Sequence, residues 1–195
     1  RGLGDVYKRQ IRRRAATIGG HNMDDYPLKM HVFNRARLIK NSKNRIPYGV
    51  DLIQKYKRES WIVFTENKKQ AKEFNKIINT KGFKSALYNT DLDSTERLEN
   101  LNKFKKADLN VLVTCTALDE GFDMPEADGA LILSASSSKR QRVQRMGRVL
   151  RITENKPNAL IVTVYSSKTE FDKLMEEAKR YHKEGVPVSW KRQDR

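Results

Sequence analysis

The 195-residue chain has a single cysteine, Cys115, which excludes an internal disulfide and any multi-cysteine zinc site. Its three histidines, His21, His31 and His182, form no convincing ligand set, because the first two stand ten apart and the third is remote in sequence. No metal site is therefore expected. No apolar run approaches the roughly 20 residues of a membrane span, so no membrane is expected as a partner. No signal peptide is apparent, although a cut start would hide one. The lone thiol suits a reducing, cytoplasmic setting. Acidic residues are also outnumbered, with 24 Asp and Glu against 40 Lys and Arg, a net charge of +16. Such an excess favours a polyanion, since basic groups release counterions from phosphate backbones. A membrane surface and plain solubility compete with that explanation. Hydrophobic residues at 37% and charged residues at 33% still allow a packed core, and the length suits one domain of ordinary size with ragged ends.

Along the chain, Ile11 to Pro47 is basic and poorly periodic, holds Gly19-Gly20, and reads as loop with one or two short helices. The pattern sharpens from Tyr48, where Val50, Leu52, Ile53 and Tyr56 suit a helix. WIVF, Trp61 to Phe64, is a short buried-strand run. Thr65 is placed to cap the next helix, with Ala71, Phe74, Ile77 and Ile78 on its inner face and Gly82 at its end. Ser85 to Tyr88 reads as a second strand, and Ser94-Thr95-Glu96-Arg97 opens a helix with Leu98, Leu101 and Phe104 inward. NVLVTC, Asn110 to Cys115, is the clearest strand; Ala130 to Ser134 and Ala159 to Tyr165 are two more. Ser138, three before Gln141, has the spacing of a capping box for a helix running to about Val149. Phe171, Leu174, Met175, Ala178 and Tyr181 mark a last amphipathic helix, and the tail from Lys183 reads as loose. Strands that alternate with helices, and are continuously apolar, imply an α/β fold whose parallel sheet is covered on both faces. Ligands of such sheets sit beyond the carboxyl ends of the strands, which singles out the loops after Phe64, Cys115 and Leu133.

Two stretches carry chemistry. After NVLVTC comes TALDEGFDMPEAD, a buried strand running into Asp119, Glu120, Gly121 and Asp123, with Pro125 stopping regular structure. Gly121 lets the backbone approach a ligand closely. The carboxylates can accept hydrogen bonds from a ribose or a partner's arginine, or merely solvate a strand end. The second stretch, SKRQRVQRMGRVLRI, holds six basic residues between Lys139 and Arg151. On a helix, Gln144, Arg148 and Arg151 share one face, while Val143, Met146 and Leu150 share another that would pack down. The arginines would then be presented by an anchored helix, and their planar forks suit phosphate oxygens. A solvated basic face, or a simple nucleic-acid backbone contact, is the plainer reading.

Together, WIVFT, TER with Phe104 after it, VLVTCTALDEGFDMPEAD and QRMGRVLR resemble, in order and spacing, the successive motifs of the second RecA-like lobe of superfamily two helicases and translocases. The resemblance covers roughly Tyr48 to Tyr181. The LDEGFDMPEAD and QRMGRVLR forms are most similar to the DNA-repair and restriction-type branch. The resemblance implies a three-layer RecA-like, P-loop NTPase-type α/β domain with a mainly parallel sheet flanked by helices. It implies that Arg148 and Arg151 are arginine fingers reaching the γ-phosphate of ATP across an interlobe cleft, a role worth about 10³ to 10⁵ in rate. Gln144 and Arg145 would support them, and Gly121 and Asp123, with Glu120 nearby, would line the nucleotide cleft. Thr65 and Arg97 would lie toward the nucleic-acid side, and Thr114 to Thr116 against the phosphate backbone. Trp61, Phe104 and Cys115 read as core.

The same resemblance implies ATP and Mg²⁺ as cofactors, with the magnesium ligands in a first lobe bearing a GxGK[ST] loop and a DExH or DExD pair. No GxxxxGK[ST] occurs in the 195 residues, so that lobe is expected as a missing partner in cis. Residues 11–47 are then the interlobe linker or the end of that lobe, 48–182 the second lobe and 183–195 a basic tail. The opening RGLGDVYKRQ mixes two glycines with four charges and no period. It lacks the third glycine and the flanking strand and helix of a phosphate loop. A disordered terminus would account for it, but it resembles more closely a translated sequencing-library adaptor, a processing scar to be left out of fold reasoning. The expected function is the C-terminal half of an ATP-dependent helicase or translocase, DNA favoured over RNA, that hydrolyses little ATP alone. Two alternatives are a non-enzymatic basic nucleic-acid-binding module and the ATPase subunit of a restriction complex that translocates without unwinding.

Overall fold

The structure is a computed structural model that describes residues 26–115, 126–133 and 159–191. The chain divides into two compact units, Arg1–Leu38 and Ile39–Arg195. In the first, the described residues are helical. They belong to α1 (Tyr26–Lys40), with Pro27 in the first turn, where a missing N–H costs nothing. The expectation for this basic stretch was short helices at most; the helix has 15 residues.

The second unit carries the fold. Helix α2 (Arg45–Tyr56) buries Ile46, Gly49, Val50, Leu52 and Ile53, and so begins before the stretch where its period was read. It stops at Lys57, whose left-handed backbone (φ 41°) returns its N–H to the Ile53 carbonyl. Then follow β1 (Trp61–Thr65), α3 (Lys68–Thr80), β2 (Ser85–Tyr88), α4 (Ser94–Lys105), β3 (Val111–Cys115), β4 (Gly129–Ile132), β5 (Leu160–Thr163) and α5 (Lys168–Lys183). The five strands form one sheet in the order β2-β3-β1-β4-β5, every pairing parallel. Register runs Trp61 to Val111 on one side and Trp61 to Gly129 on the other.

Burial explains why the strands are apolar throughout. All residues of β1, β3 and β4 are buried, while the edge strands β2 and β5 are half-buried. Alternate residues feed two cores. Trp61, Val63, Val111 and Val113 pack with Val50, Ile53, Phe74 and Ile78 from α2 and α3. Ile62, Phe64 and Leu112 pack with Leu101 and Phe104 from α4. Gly129 is required by this packing, since a Cβ there would lie 2.6–2.7 Å from the Trp61 indole ring. The outward groups of edge strand β2 are taken up by two asparagines. Asn79 Oδ1 accepts from Ser85 N at 3.2 Å, and Asn100 Nδ2 donates to the Leu87 carbonyl at 3.1 Å. A strand end so occupied is a poor template for another chain.

Three local expectations are corrected. Thr65 does not cap α3; it closes β1, and the cap is Asn67, whose side chain accepts from Gln70 N at 2.9 Å. Leu98 does not face inward but is 57% exposed. At about 100° per residue, Arg97, Leu101 and Phe104 share one meridian of α4 and Leu98 lies well round from it. Arg97, on that inner meridian, is half-buried. The described part of the tail, to Lys191, is anchored rather than loose. After Gly185 (φ 79°) ends α5, Trp190 sets its ring edge-on to Phe171, 5.1 Å between centroids, and Phe171 lies 5.2 Å from Tyr165.

Candidate functional site

In a parallel sheet the binding crevice opens at the carboxyl ends of the strands, where successive connections leave in opposite directions. Here that point is β1, which lies between β3 and β4. The described chain leaves β3 at Cys115 and resumes at Glu126, and leaves β4 by way of Leu133 and resumes at Ala159. Thr116, Glu120, Gly121 and Asp123 fall in the first interval, and Gln144, Arg145, Arg148 and Arg151 in the second; all eight lie outside the described residues.

Three predicted site residues are described. Thr65 and Thr114 end neighbouring strands and are both buried. They meet: the Thr65 hydroxyl donates to the Thr114 carbonyl at 3.0 Å and reaches the Asn67 carbonyl at 3.2 Å, and the Thr114 hydroxyl donates to the Cys115 carbonyl at 3.2 Å. The third, Arg97, lies on the first turn of α4.

The structure adds residues the sequence reading passed over. Arg45 is only 1% exposed. Its Nη1 donates to the Leu133 and Val164 carbonyls at 2.6 and 2.8 Å, one residue beyond β4 and β5. Its Nη2 donates to Ser166 Oγ at 2.7 Å and to Glu170 Oε2 at 2.5 Å, and its Nε to the Ile39 carbonyl at 3.2 Å. All five guanidinium donors are used, as burial of that group demands. Arg45 was hidden because it stands in a run of basic residues that read as linker. Glu170 did carry a signal, the Ser167-x-x-Glu170 spacing at a helix start. The Ser167 half of that box forms, but the Glu170 carboxylate turns to Arg45 and to Ser166 N.

On the same edge of the sheet, Lys68 and Lys72 in the first turns of α3 both pair with Asp91, in the loop after β2. The hydrogen bond from Lys68, then that from Lys72, holds the Asp91 carboxyl below its ordinary value. Beside them Lys40 pairs with Glu66 at 3.1 Å, and Asn67 Nδ2 donates to Asn41 Oδ1 at 2.6 Å. Among the described residues, no group of three or more His, Cys, Asp or Glu is placed to hold a metal, and no helix is long and apolar enough to cross a membrane.

A five-stranded parallel sheet in this order, helix-covered, with its switch point at β1, is a RecA-like architecture. Residues 44–153 match the family described as the helicase conserved C-terminal domain. The chain belongs to that family, as a C-terminal lobe of the superfamily two type. It is similar to the DNA 3'-5' translocase XPB2 of Sulfurisphaera tokodaii, 36% identical over 129 residues, which are 66% of this chain and 28% of that protein. It is also similar to the ATP-dependent RNA helicase DBP3 of Ajellomyces capsulatus, 28% identical over 166 residues, 82% of this chain and 32% of that protein. Its fold matches the C-terminal domain of the DEAD-box protein Dbp5 with a TM-score of 0.64 at 21% identity, over 74% of this chain and 82% of that one. The chain thus spans about a third or less of the curated relatives it matches.

Proposed function

We propose that the chain is the second lobe of an ATP-dependent nucleic-acid translocase or helicase. It acts with a first RecA-like lobe that supplies the phosphate loop and the Mg²⁺ ligands. The observation that carries this reading is the family match over residues 44–153, which spans both LDEGFDMPEAD and QRMGRVLR, the segments that leave β3 and β4 on either side of β1. ATP binds between the lobes. Arg148 and Arg151 reach its γ-phosphate and neutralise charge as the phosphoryl group leaves, with Gln144 and Arg145 in support and Glu120, Gly121 and Asp123 lining the nucleotide side. Nucleic acid runs past Thr65, Thr114, Thr116 and Arg97. The hydroxyls of Thr65 and Thr114 already donate within the fold, so their contact is through main-chain groups. DNA is favoured over RNA because LDEGFDMPEAD and QRMGRVLR resemble the DNA-repair branch and XPB2 is a DNA translocase. A reducing, cytoplasmic setting suits the one buried thiol, Cys115.

The test is Arg148→Ala in the full-length natural protein. ATP turnover falls by about 10³ or more while the thermal melt is unchanged. Turnover within about tenfold of wild type refutes the finger assignment, since one lost finger costs more than that. Stimulation of the wild-type ATPase by single-stranded DNA but not RNA supports the substrate choice, and the reverse overturns it.

A further inference from the structure

Lys68 and Lys72 stand one turn apart on α3, so their ammonium groups project to the same side and repel. An anion between them relieves that repulsion. Asp91 provides it, giving Oδ1 to Lys68 and Oδ2 to Lys72, the latter at 3.0 Å. The three side chains are 43%, 57% and 34% exposed, so another anion can reach the same place from solvent. A phosphodiester is the natural competitor: it carries one negative charge spread over two free oxygens, as the carboxylate does. Its surroundings favour it, since α3 bears Lys68, Lys69, Lys72 and Lys76 against Glu73 alone. The Asp91 loop is held by Asn89, buried at 3% exposure, whose Oδ1 accepts from Asp91 N at 3.0 Å. The Nδ2 of Asn89 is buried and has no acceptor among the described residues.

We propose that Lys68 and Lys72 form a phosphodiester site and that Asp91 is its internal counter-ion, displaced when a nucleic-acid strand binds. The proposal rests on the nucleic-acid reading above. It adds the carboxylate that competes with the strand and thereby weakens binding in the resting lobe. Exposed ion pairs are individually weak, which is what allows a phosphate to exchange with the carboxylate.

The experiment is fluorescence anisotropy of labelled oligodeoxythymidine with the 195-residue chain, in wild type, Asp91→Asn, Lys68→Gln/Lys72→Gln and the triple variant, across a salt series. Asp91→Asn tightens binding about three- to tenfold, the range set by giving up two exposed pairs. In the Lys68→Gln/Lys72→Gln background the same change alters affinity less than about twofold, as expected for groups that act as one unit. The double lysine variant lowers the slope of log K against log salt by about 0.7, one single-strand phosphate. Three results overturn the proposal: no tightening by Asp91→Asn, equal tightening in both backgrounds (the signature of net charge alone), or an unchanged salt slope in the lysine variant. Binding that persists in all these cases leaves the nucleic-acid reading standing. No binding by any variant at low salt removes both.

Discussion

Replacing Arg45 by Met keeps the length and apolar bulk of the stem and removes all five donors. Three main-chain carbonyls, Ile39, Leu133 and Val164, lose their bonds, as do Ser166 Oγ and the Glu170 carboxylate. The Glu170 side chain is mostly buried. Breaking a buried pair by removing one partner costs about 3–5 kcal/mol, because the remaining charge is uncompensated. Each buried carbonyl left alone adds up to about 1–3 kcal/mol, less where water can enter. Non-additivity holds the total to roughly 4–6 kcal/mol, against about 5–15 kcal/mol for the stability of a whole domain. With a urea slope of about 2 kcal/mol per molar, the unfolding midpoint falls by about 2–3 M. Glu170→Gln keeps an oxygen acceptor but leaves the more deeply buried Arg45 cation without its counter-charge, so it too costs about 3–5 kcal/mol. Arg45→Met with Glu170→Met is less damaging than Arg45→Met alone, because it removes the stranded charge. Urea unfolding followed by far-ultraviolet circular dichroism reads all three variants. A midpoint for Arg45→Met within about 0.5 M of wild type, or a double variant worse than the single, refutes this account of the residue.

Gly129→Ala drives a methyl into the buried Trp61 ring; about 1–3 kcal/mol or more is lost in a thermal melt, and an unchanged melt shows that the ring and strand can separate freely. Asn79→Ala with Asn100→Ala uncovers the edge of β2, so light scattering shows concentration-dependent self-association that wild type lacks; a monomer at every concentration contradicts the capping role. Asp91 titrates low because its lysines favour the carboxylate, so this pairing stabilises the folded chain above the ordinary carboxylate pKa and is lost as pH falls through the depressed one. Lys68→Gln/Lys72→Gln therefore raises the Asp91 midpoint in a carboxyl-carbon NMR titration, and an unmoved midpoint shows that the pairs do not form in solution.

The central strands were legible because burial on both faces leaves only one kind of residue possible: WIVF, VLVTC and ALILS are apolar runs without alternation, and a strand forms at each, although the third is Gly129–Ile132, which begins one residue before the expected Ala130. Boundaries were less legible. Thr65 and Asn67 are both plausible caps by residue type, and the choice fell to strand pairing, since Thr65 is held opposite Cys115 as the last rung of β1. Leu98 and Arg97 are adjacent, and which of them turns inward depends on the helix phase set by Leu101 and Phe104. Trp190 was unreadable because its partners come from well upstream, Tyr165 from just beyond β5 and Phe171 from the first turn of α5. Of the site, Thr65 and Thr114 were read near strand ends, but that these strands are neighbours, so that the Thr65 hydroxyl meets the Thr114 carbonyl, comes from the structure alone. Arg45 and the Asp91 cluster were not legible, because a charged side chain in a basic chain looks alike whether it is solvated or buried. Only its distant partners tell the two apart.

Those partners of Arg45 lie far along the chain. Leu133, Val164, Ser166 and Glu170 are 88, 119, 121 and 125 residues downstream. During synthesis, the guanidinium at the start of α2 emerges long before any of them and stays hydrated while α2, α3 and the first strands assemble. The full set of five bonds can close only once the start of α5 has been made, so a chain interrupted before Glu170 holds the guanidinium without its carboxylate.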